Sequence, residues 1–290
     1  MSKSKPFTIA YTPASDDAFY YDALENGLVV PPGFPIRFRR GPVADLNRCA
    51  EMGLFEVTAV SAVVYPRVAD RYAILSAGAS IGRGYGPVVA ARDPCHLADL
   101  AGRRVGVAGI PTTGWFLLRS LCPGAIPVET PLDEMATAVA SGVLDAGVMI
   151  HEELLYYPRV GLRLVADLGA EWCARNGLPL PVGLNLVRRD LGPRTMRRMS
   201  AAVRDSIRQG QDDPGAALLR VGRGYRGKAD GRNEPFVRMF ASDDSLALAD
   251  DVRAALRVIF KQMVETGQSR VVPELDVVEP ARVEELAYSN

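Results

Sequence analysis

The amino-acid sequence predicts an α/β protein of two lobes facing each other across a central cleft. The first sign is the alternation of short apolar runs with helix-patterned segments over the first two-thirds of the chain, which reads as a largely parallel sheet covered by helices. The second is a pair of similar extended segments, YGPVVAARDP at 85–94 and PVGLNLVRRDLG at 181–192. Both are apolar runs ending in arginine and aspartate, and their spacing fits two crossings between lobes. One lobe then comprises residues 93–181, and the other joins 1–92 to 182–290. The third is the placing of polar residues just after predicted strands, where such folds bind ligands.

Residues 7–12, FTIAYT, read as an opening strand, and TPASDD turns the chain into a helix over DDAFYYDALENGLV with Gly27 beyond its end. IRFRR at 36–40 alternates like a strand. Residues 42–53 are helical in pattern, VTAV at 57–60 is a buried strand turning helical near Ser61, and YAILSAG at 72–78 is a further strand. The middle repeats the theme: strand 103–109, helix from PTTGWFLLRSLC, strand AIPVETP, helix LDEMATAVASG, strand LDAGVMI at 144–150 and strand LRLVADLG at 162–169. The last third holds the extended 181–192 segment and helices near 193–210, 212–223 and 247–266.

The chain has 290 residues, 48% of them hydrophobic, enough for one large core or two smaller ones. Lys+Arg and Asp+Glu are each 34, so no basic excess points to nucleic acid. RFRR at 37–40 and RTMRRM at 194–199 read as solvated faces. No apolar run reaches the ~20 residues of a membrane span, and MSKSKPFTIAYTP lacks the long apolar core of a signal peptide. Cys49, Cys95, Cys122 and Cys173 are scattered without a CxxC pair, as isolated thiols in a reducing cytoplasm would be. Monomer and homodimer both stay open.

Five polar sites fall at strand ends: TPASDD, Ser61, SIGRGYG at 80–86, PTTG at 111–114 and His151. His151 is one of only two histidines. It is the natural proton acceptor near neutral pH, with Glu152 or Glu153 as a partner and Asp16 or Asp17 across the cleft as the second carboxyl group. Thr112 and Thr113 could cradle an anion at a helix start or form an ordinary N-cap. GRGYG is either a close backbone approach to a flat ligand or a bare turn. Phe19, Tyr20, Tyr21, Trp115, Tyr156 and Tyr157 could sandwich a planar ligand, but core packing explains most such residues and only a minority are expected to touch one. Arg188 and Arg189 could pair with a ligand carboxylate or sit at a hinge. HEE is not HExxH and no GxSxG surrounds Ser61, so neither a zinc site nor a serine triad is read.

TPASDDAF at 12–19, VTAVSAVVYPRVADRYAIL at 57–75, GASIGRGYGPVV at 78–89, PTT at 111–113, SGVLDAGVMIHE at 141–152 and LPLPVGLNLVRRDLG at 178–192 together resemble the menaquinone-biosynthesis family that contains 1,4-dihydroxy-6-naphthoate synthase. The resemblance runs over nearly the whole chain in the same order. It implies a fold like a type II periplasmic binding protein, a cytoplasmic enzyme, no cofactor or metal, and a small aromatic carboxylate substrate, cyclic dehypoxanthine futalosine, cleaved by a carbon–carbon lyase. It further implies His151 as general base with Asp17 as the second catalytic group, and Thr112, Thr113, Ser61, Ser80, Gly82 and Asp16 as substrate-binding positions. The opening departs from the family's SPCPNDTF: Thr12 replaces serine, Ser15 proline and Asp16 asparagine, and Gly114 stands where alanine is common. These departures leave room for a paralogous cleft enzyme, such as a chorismate-dehydratase-like one, or a non-catalytic solute-binding protein.

Overall fold

The computed structural model describes residues 7–31, 35–224 and 233–281. From the N-terminus run β1 (Phe7–Tyr11), α1 (Ser15–Glu25), β2 (Ile36–Arg40), α2 (Val43–Glu51), β3 (Val57–Ser61), α3 (Tyr65–Val68), β4 (Tyr72–Leu75) and β5 (Ser80–Gly82). There follow β6 (Val88–Ala91), β7 (Arg104–Val107), α4 (Thr113–Leu121), β8 (Ile126–Glu129), α5 (Leu132–Ala140), β9 (Ala146–Met149), α6 (Glu153–Tyr156), β10 (Arg163–Asp167) and α7 (Leu168–Asn176). The chain returns along β11 (Leu180–Arg188) and finishes with α8 (Gly192–Asp212), α9 (Pro214–Gly224), α10 (Asn233–Phe240), α11 (Asp250–Glu265) and β12 (Val277–Val278).

Two sheets result. The first has the order β12-β4-β11-β3-β1-β2, with β5 also paired to β11; the second has the order β10-β6-β9-β7-β8. Among the described strands five pairs are parallel, β1 with β2 and β3, β7 with β8 and β9, and β12 with β4, and five are antiparallel, so the largely parallel sheet expected from the sequence is only half realised. Two strands break the expected parallel pattern. β11 runs antiparallel to β3, β4 and β5, and β6 runs antiparallel to β9 and β10. Their common cause is the crossing. Parallel strands point their carboxyl ends at the cleft, so a strand that enters a lobe from the cleft must run the other way. β6 already pairs in the second sheet, ahead of residue 93, because the YGPVVAARDP crossing is itself a strand of that sheet.

Local sequence explains the elements. β3 is buried along its whole length and lacks alternation because both faces of the sheet are covered. β2 pairs only with β1 and alternates, with Arg37, Arg39 and Arg40 exposed along that edge. α1 is buried on nearly every side, Asp16 and Asp17 sit in its first turn, and Gly27 at φ 70° lies just beyond its end. Its buried Asp22 is compensated by Arg220 of α9 at 2.6 Å.

One apolar cluster joins the lobes. It combines Val60 and Ile74 of the first sheet, Val105 and Val148 of the second, Phe116 of α4, Trp172 of α7 and Phe260 of α11. The Trp172 indole also donates to Gln262 of α11 at 3.1 Å. The four cysteines are free thiols. Among the described residues no helix is long and apolar enough to cross a membrane.

Asn185 of β11 ties three elements together. Its Oδ1 accepts from Tyr21 Oη of α1 at 2.6 Å, and its Nδ2 donates to the Gly78 carbonyl at 2.6 Å. A leucine there would strand two buried polar groups. Asn185→Leu is expected to cost about 3 kcal/mol, read as a fall of roughly 6–12 °C in the thermal unfolding midpoint by calorimetry.

Candidate active site

The carboxyl ends of β1, β3, β7 and β9 converge on one cavity between the lobes, with about 670 Å³ of atom-free space including its open mouth. The first lobe lines it with Thr12, Asp16, Asp17, Ser61, Gly78 and Ser80, and the second with Thr112, Thr113, Gly114, Ile150 and His151. The crossing segments add Pro87 and Val182–Leu184, and α10 adds Phe236 and Phe240. Seven of the eight residues named from the sequence as catalytic or substrate-binding therefore share one chamber: His151, Asp17, Thr112, Thr113, Ser61, Ser80 and Asp16.

The exception is Gly82, which lies outside the lining. A Cβ built on it would fall 2.0 Å from the Tyr85 carbonyl, so the glycine serves a tight turn. Arg83 in that turn holds Asp244 and Asp251, each at 2.7 Å, and the Tyr85 hydroxyl donates to the Met239 carbonyl. The glycine-rich segment thus anchors the C-terminal helices, and only Ser80 of it reaches the cavity.

Three carboxyl groups gather where α1 begins. Asp17 Oδ2 accepts from the Thr12 N–H at 2.9 Å and the Thr12 hydroxyl at 2.7 Å. Burial, and then the charge of Asp16, push its pKa up to about 8. Asp16 is 5% exposed; its Oδ2 accepts from Ser80 Oγ at 2.7 Å, while its buried Oδ1 has no hydrogen-bond partner. Burial raises its pKa as well, against the His151 imidazole, the Ser80 hydroxyl and the Asp17 N–H, which favour the charged form. Glu152 Oε1 accepts from the Ser15 N–H at 2.7 Å and from the Ser15 hydroxyl. Glu152, considered as a partner for the adjacent histidine, thereby clamps the second lobe to the first turn of α1.

His151 follows β9 with φ 51°, the only non-glycine residue with positive φ among those described. Such a conformation costs on the order of 1–3 kcal/mol and is kept where the surroundings over-determine it. Here the next residue is clamped to Ser15, and the His151 carbonyl accepts from the Leu154 N–H at 3.1 Å. The imidazole meets the Phe236 ring edge-on at 6.5 Å.

Beside His151 on the second lobe is the start of α4, where a Cβ on Gly114 would fall 3.5 Å from Ile150. Thr112 caps it, accepting from the Trp115 N–H at 3.2 Å while donating to the Gly109 carbonyl at 2.9 Å. Thr113 Oγ1 donates to the Val182 carbonyl of β11 at 2.7 Å. Both hydroxyl protons serve the backbone, and the anion-binding capacity of this wall lies in the N–H groups of Thr113 and Gly114, which the helix itself leaves without acceptors. Among the described residues no Lys or Arg lines the chamber.

Asn47 of α2, which sequence reading missed, positions this wall. It is 2% exposed; its Nδ2 donates to the Pro111 carbonyl at 2.8 Å and Ser61 Oγ at 3.2 Å, and its Oδ1 accepts from the Ser61 N–H at 3.0 Å. Ser61 Oγ accepts that bond and keeps its own proton for a ligand. The only prior signal was a polar residue on the apolar face of the 42–53 helix.

Most of the aromatics named from the sequence pack in the core, as expected, and none of them lines the chamber. Tyr20 and Tyr21 are core residues whose hydroxyls bond Phe240 O at 2.9 Å and Asn185. Phe19 is packed in the same core and Trp115 in the core between lobes. Tyr156 and Tyr157 lie outside the lining, Tyr156 beneath the Arg159 guanidinium at 4.3 Å. Phe236 and Phe240, 4.8 Å apart, supply the flat apolar surface instead. Their i, i+4 spacing in NEPFVRMF was the available clue. Arg188 and Arg189 point away from the cleft and bind Glu56 at 3.1 Å and Asp276, respectively. His96 is exposed at the start of a short 3₁₀ turn.

Comparisons agree with this architecture. A family model described as menaquinone biosynthesis matches residues 7–265. A 1,4-dihydroxy-6-naphthoate synthase of Thermus thermophilus is 43% identical over 210 residues, 72% of this chain and 76% of that protein. One of Streptomyces coelicolor is 34% identical over 274 residues, 92% of this chain and 95% of the other. The crystal structure of a protein from Archaeoglobus fulgidus superposes with TM-score 0.86 at 37% identity, covering 91% of this chain and 99% of that one. The two-lobed periplasmic-binding-protein fold recurs at low identity, as in an alkanesulfonate-binding protein of Xanthomonas axonopodis pv. citri with TM-score 0.69, 14% identity and coverage of 96% and 98%. With the model spanning nearly all of the described sequence and relatives of this identity over most of its length, the chain belongs to the menaquinone biosynthesis family.

Proposed function

We propose that the cleft catalyses the 1,4-dihydroxy-6-naphthoate synthase reaction, a carbon–carbon lysis of cyclic dehypoxanthine futalosine. The observation that carries the reading is the strained, clamped His151 lining an apolar chamber together with the open N-terminus of α4. The chamber sorts its ligand by chemistry. With no Lys or Arg among the described lining residues, the favourable place they offer a ligand carboxylate is the Thr113 and Gly114 N–H groups, where the helix dipole and unpaired donors act together. Ser61 adds a hydroxyl donor nearby. A bicyclic ring then lies between Phe236, Phe240 and the aliphatic walls of Ile150, Val182 and Leu184.

This orientation brings the sugar-derived part to His151. The imidazole takes a hydroxyl proton there, and the oxygen's electron pair forms a carbonyl as the adjoining carbon–carbon bond breaks. The bond's electrons enter the ring system, which becomes aromatic and takes up a proton as its hydroxyl is completed. Phe236 holds the imidazole edge-on, and the Glu152–Ser15 clamp fixes the backbone that carries it. Asp17, with Oδ2 committed to Thr12, is assigned to shaping the 12–17 loop rather than to attack on substrate.

The direct test is incubation of the protein with cyclic dehypoxanthine futalosine and mass detection of 1,4-dihydroxy-6-naphthoate; no product from folded protein removes the reading. His151→Ala is expected to lower kcat by about 10³-fold with an unchanged circular-dichroism spectrum, and full activity would remove the base assignment. Asn47→Ala unties Ser61 from the Pro111 turn. It should lower kcat/KM by roughly 10- to 100-fold, in line with the cost of misplaced binding groups, while initial-rate kinetics on the same substrate still detect turnover.

A further inference from the structure

Among the described residues Asp16 is the one lining the chamber with a buried side-chain polar atom left unpartnered: Oδ2 accepts from Ser80, and Oδ1 has no partner. We propose that Asp16 binds substrate as a neutral carboxylic acid, its Oδ1–H donating a hydrogen bond to a ring oxygen on the first-lobe side of the chamber. This rests on the reaction proposed above and identifies how the ring end of that substrate is held.

The geometry excludes the alternatives in turn. An ionised Asp16 would bury a charge with Oδ1 left without any donor, a costly arrangement. A neutral Asp16 with its proton on Oδ2 would reverse the Ser80 bond, leaving Oδ1 a buried acceptor without a donor and the Ser80 proton facing only the Tyr20 hydroxyl at 3.4 Å. With the proton on Oδ1, Ser80 still donates to Oδ2 and the only open hydrogen-bonding direction becomes a donor. Burial favours that state, as does Glu152 from the β9–α6 turn; His151, the Ser80 hydroxyl and the Asp17 N–H oppose it, and burial outweighs them. Asp17 lies beside it on α1, and Tyr20, whose hydroxyl is 3.4 Å from Ser80 Oγ, stays neutral through burial. A ring oxygen of the substrate collects electron density as the carbon–carbon bond breaks, so a fixed neutral donor there stabilises the transition state more than the ground state. Asp16 donates a hydrogen bond and keeps its proton.

Hydrogen bonding without proton release separates this role from that of a general acid. The amide of Asp16→Asn can donate toward the same oxygen and cannot lose a proton. Asp16→Asn should therefore keep kcat/KM within about 10-fold of the parent, while Asp16→Ala falls by about 100-fold, the value of one such bond. The carboxyl donor exists only below its pKa, so the parent's kcat/KM declines on the alkaline side, and Asp16→Asn lacks that decline. Equal losses in the Asn and Ala variants, or an identical alkaline limb in the parent and Asp16→Asn, would overturn the proposal. A second readout is independent of turnover: infrared difference spectra of 1,4-dihydroxy-6-naphthoate binding should show a protonated-carboxyl C=O band that shifts in the parent and is missing from Asp16→Asn. Persistence of that band in Asp16→Asn also overturns it. A parent that shows the band but makes no product would instead sink the proposed reaction and leave the neutral Asp16 standing.

Discussion

The two crossing strands are the constraint on which the rest depends. β6 and β11 are the strands that leave the cleft rather than run toward it, and each is the antiparallel member of its sheet. Given that, the parallel strands of both lobes must aim their carboxyl ends at the same space. Thr12, Ser61, Thr112 and His151 come from four different strand ends and meet for that reason. Cross-lobe bonds then fix the distance: Glu152 to Ser15, Asn47 to the Pro111 carbonyl and Thr113 to the Val182 carbonyl. With an apolar core running between the lobes as well, the chamber is largely preformed.

The polar side of the chamber is held at the expense of stability. His151 carries a disfavoured backbone conformation, and two buried aspartates sit next to each other at the head of α1. The helix dipole and the Thr12 and Ser80 donors offset part of that burden. The sign of the remainder follows from linkage. An unfolded aspartate gives up its proton near pH 4, whereas folded Asp17 holds it to about pH 8. Between those values the folded state binds more protons, so these groups favour folding less and less as pH rises through the window. Proteins keep such features where function needs them, while cores elsewhere follow the ordinary rules.

That division also explains which parts of the molecule were legible in the sequence. Runs such as VTAVS and AGVM announce buried strands by composition, and the polar residue after each is placed by the fold, so Ser61 and His151 could be found without a structure. Gly82 misled, and the aromatic pair Tyr20 and Tyr21 stayed open, because a residue type is compatible with packing as readily as with binding. Only the 2.0 Å approach to Tyr85 O and the full burial of α1 decide between them. Arg188 and Arg189 misled in the same way, since whether a guanidinium meets Glu56 or a ligand is a matter of direction. Asn47 and α10 were missed because their contributions are tertiary: Asn47 acts through a carbonyl sixty-four positions away, and Phe236 reaches the chamber from the far end of the chain.

The TPASDD opening looks at first like an obstacle to an anionic substrate, because Asp16 stands where the family's opening has asparagine. The obstacle depends on Asp16 carrying charge. Buried at 5% exposure and near Glu152, it meets conditions under which a carboxyl keeps its proton. A neutral carboxylic acid has nearly the shape of an amide and, like it, offers one acceptor and one donor direction. Ser80 takes the acceptor, and the donor faces the chamber. The substitution then preserves the hydrogen-bonding pattern and changes its pH range, because an amide keeps its donor at every pH and an acid keeps it only until it ionises. In the proposed binding mode the substrate carboxylate is received by α4 of the second lobe, and a neutral Asp16 on the first adds no charge to repel it.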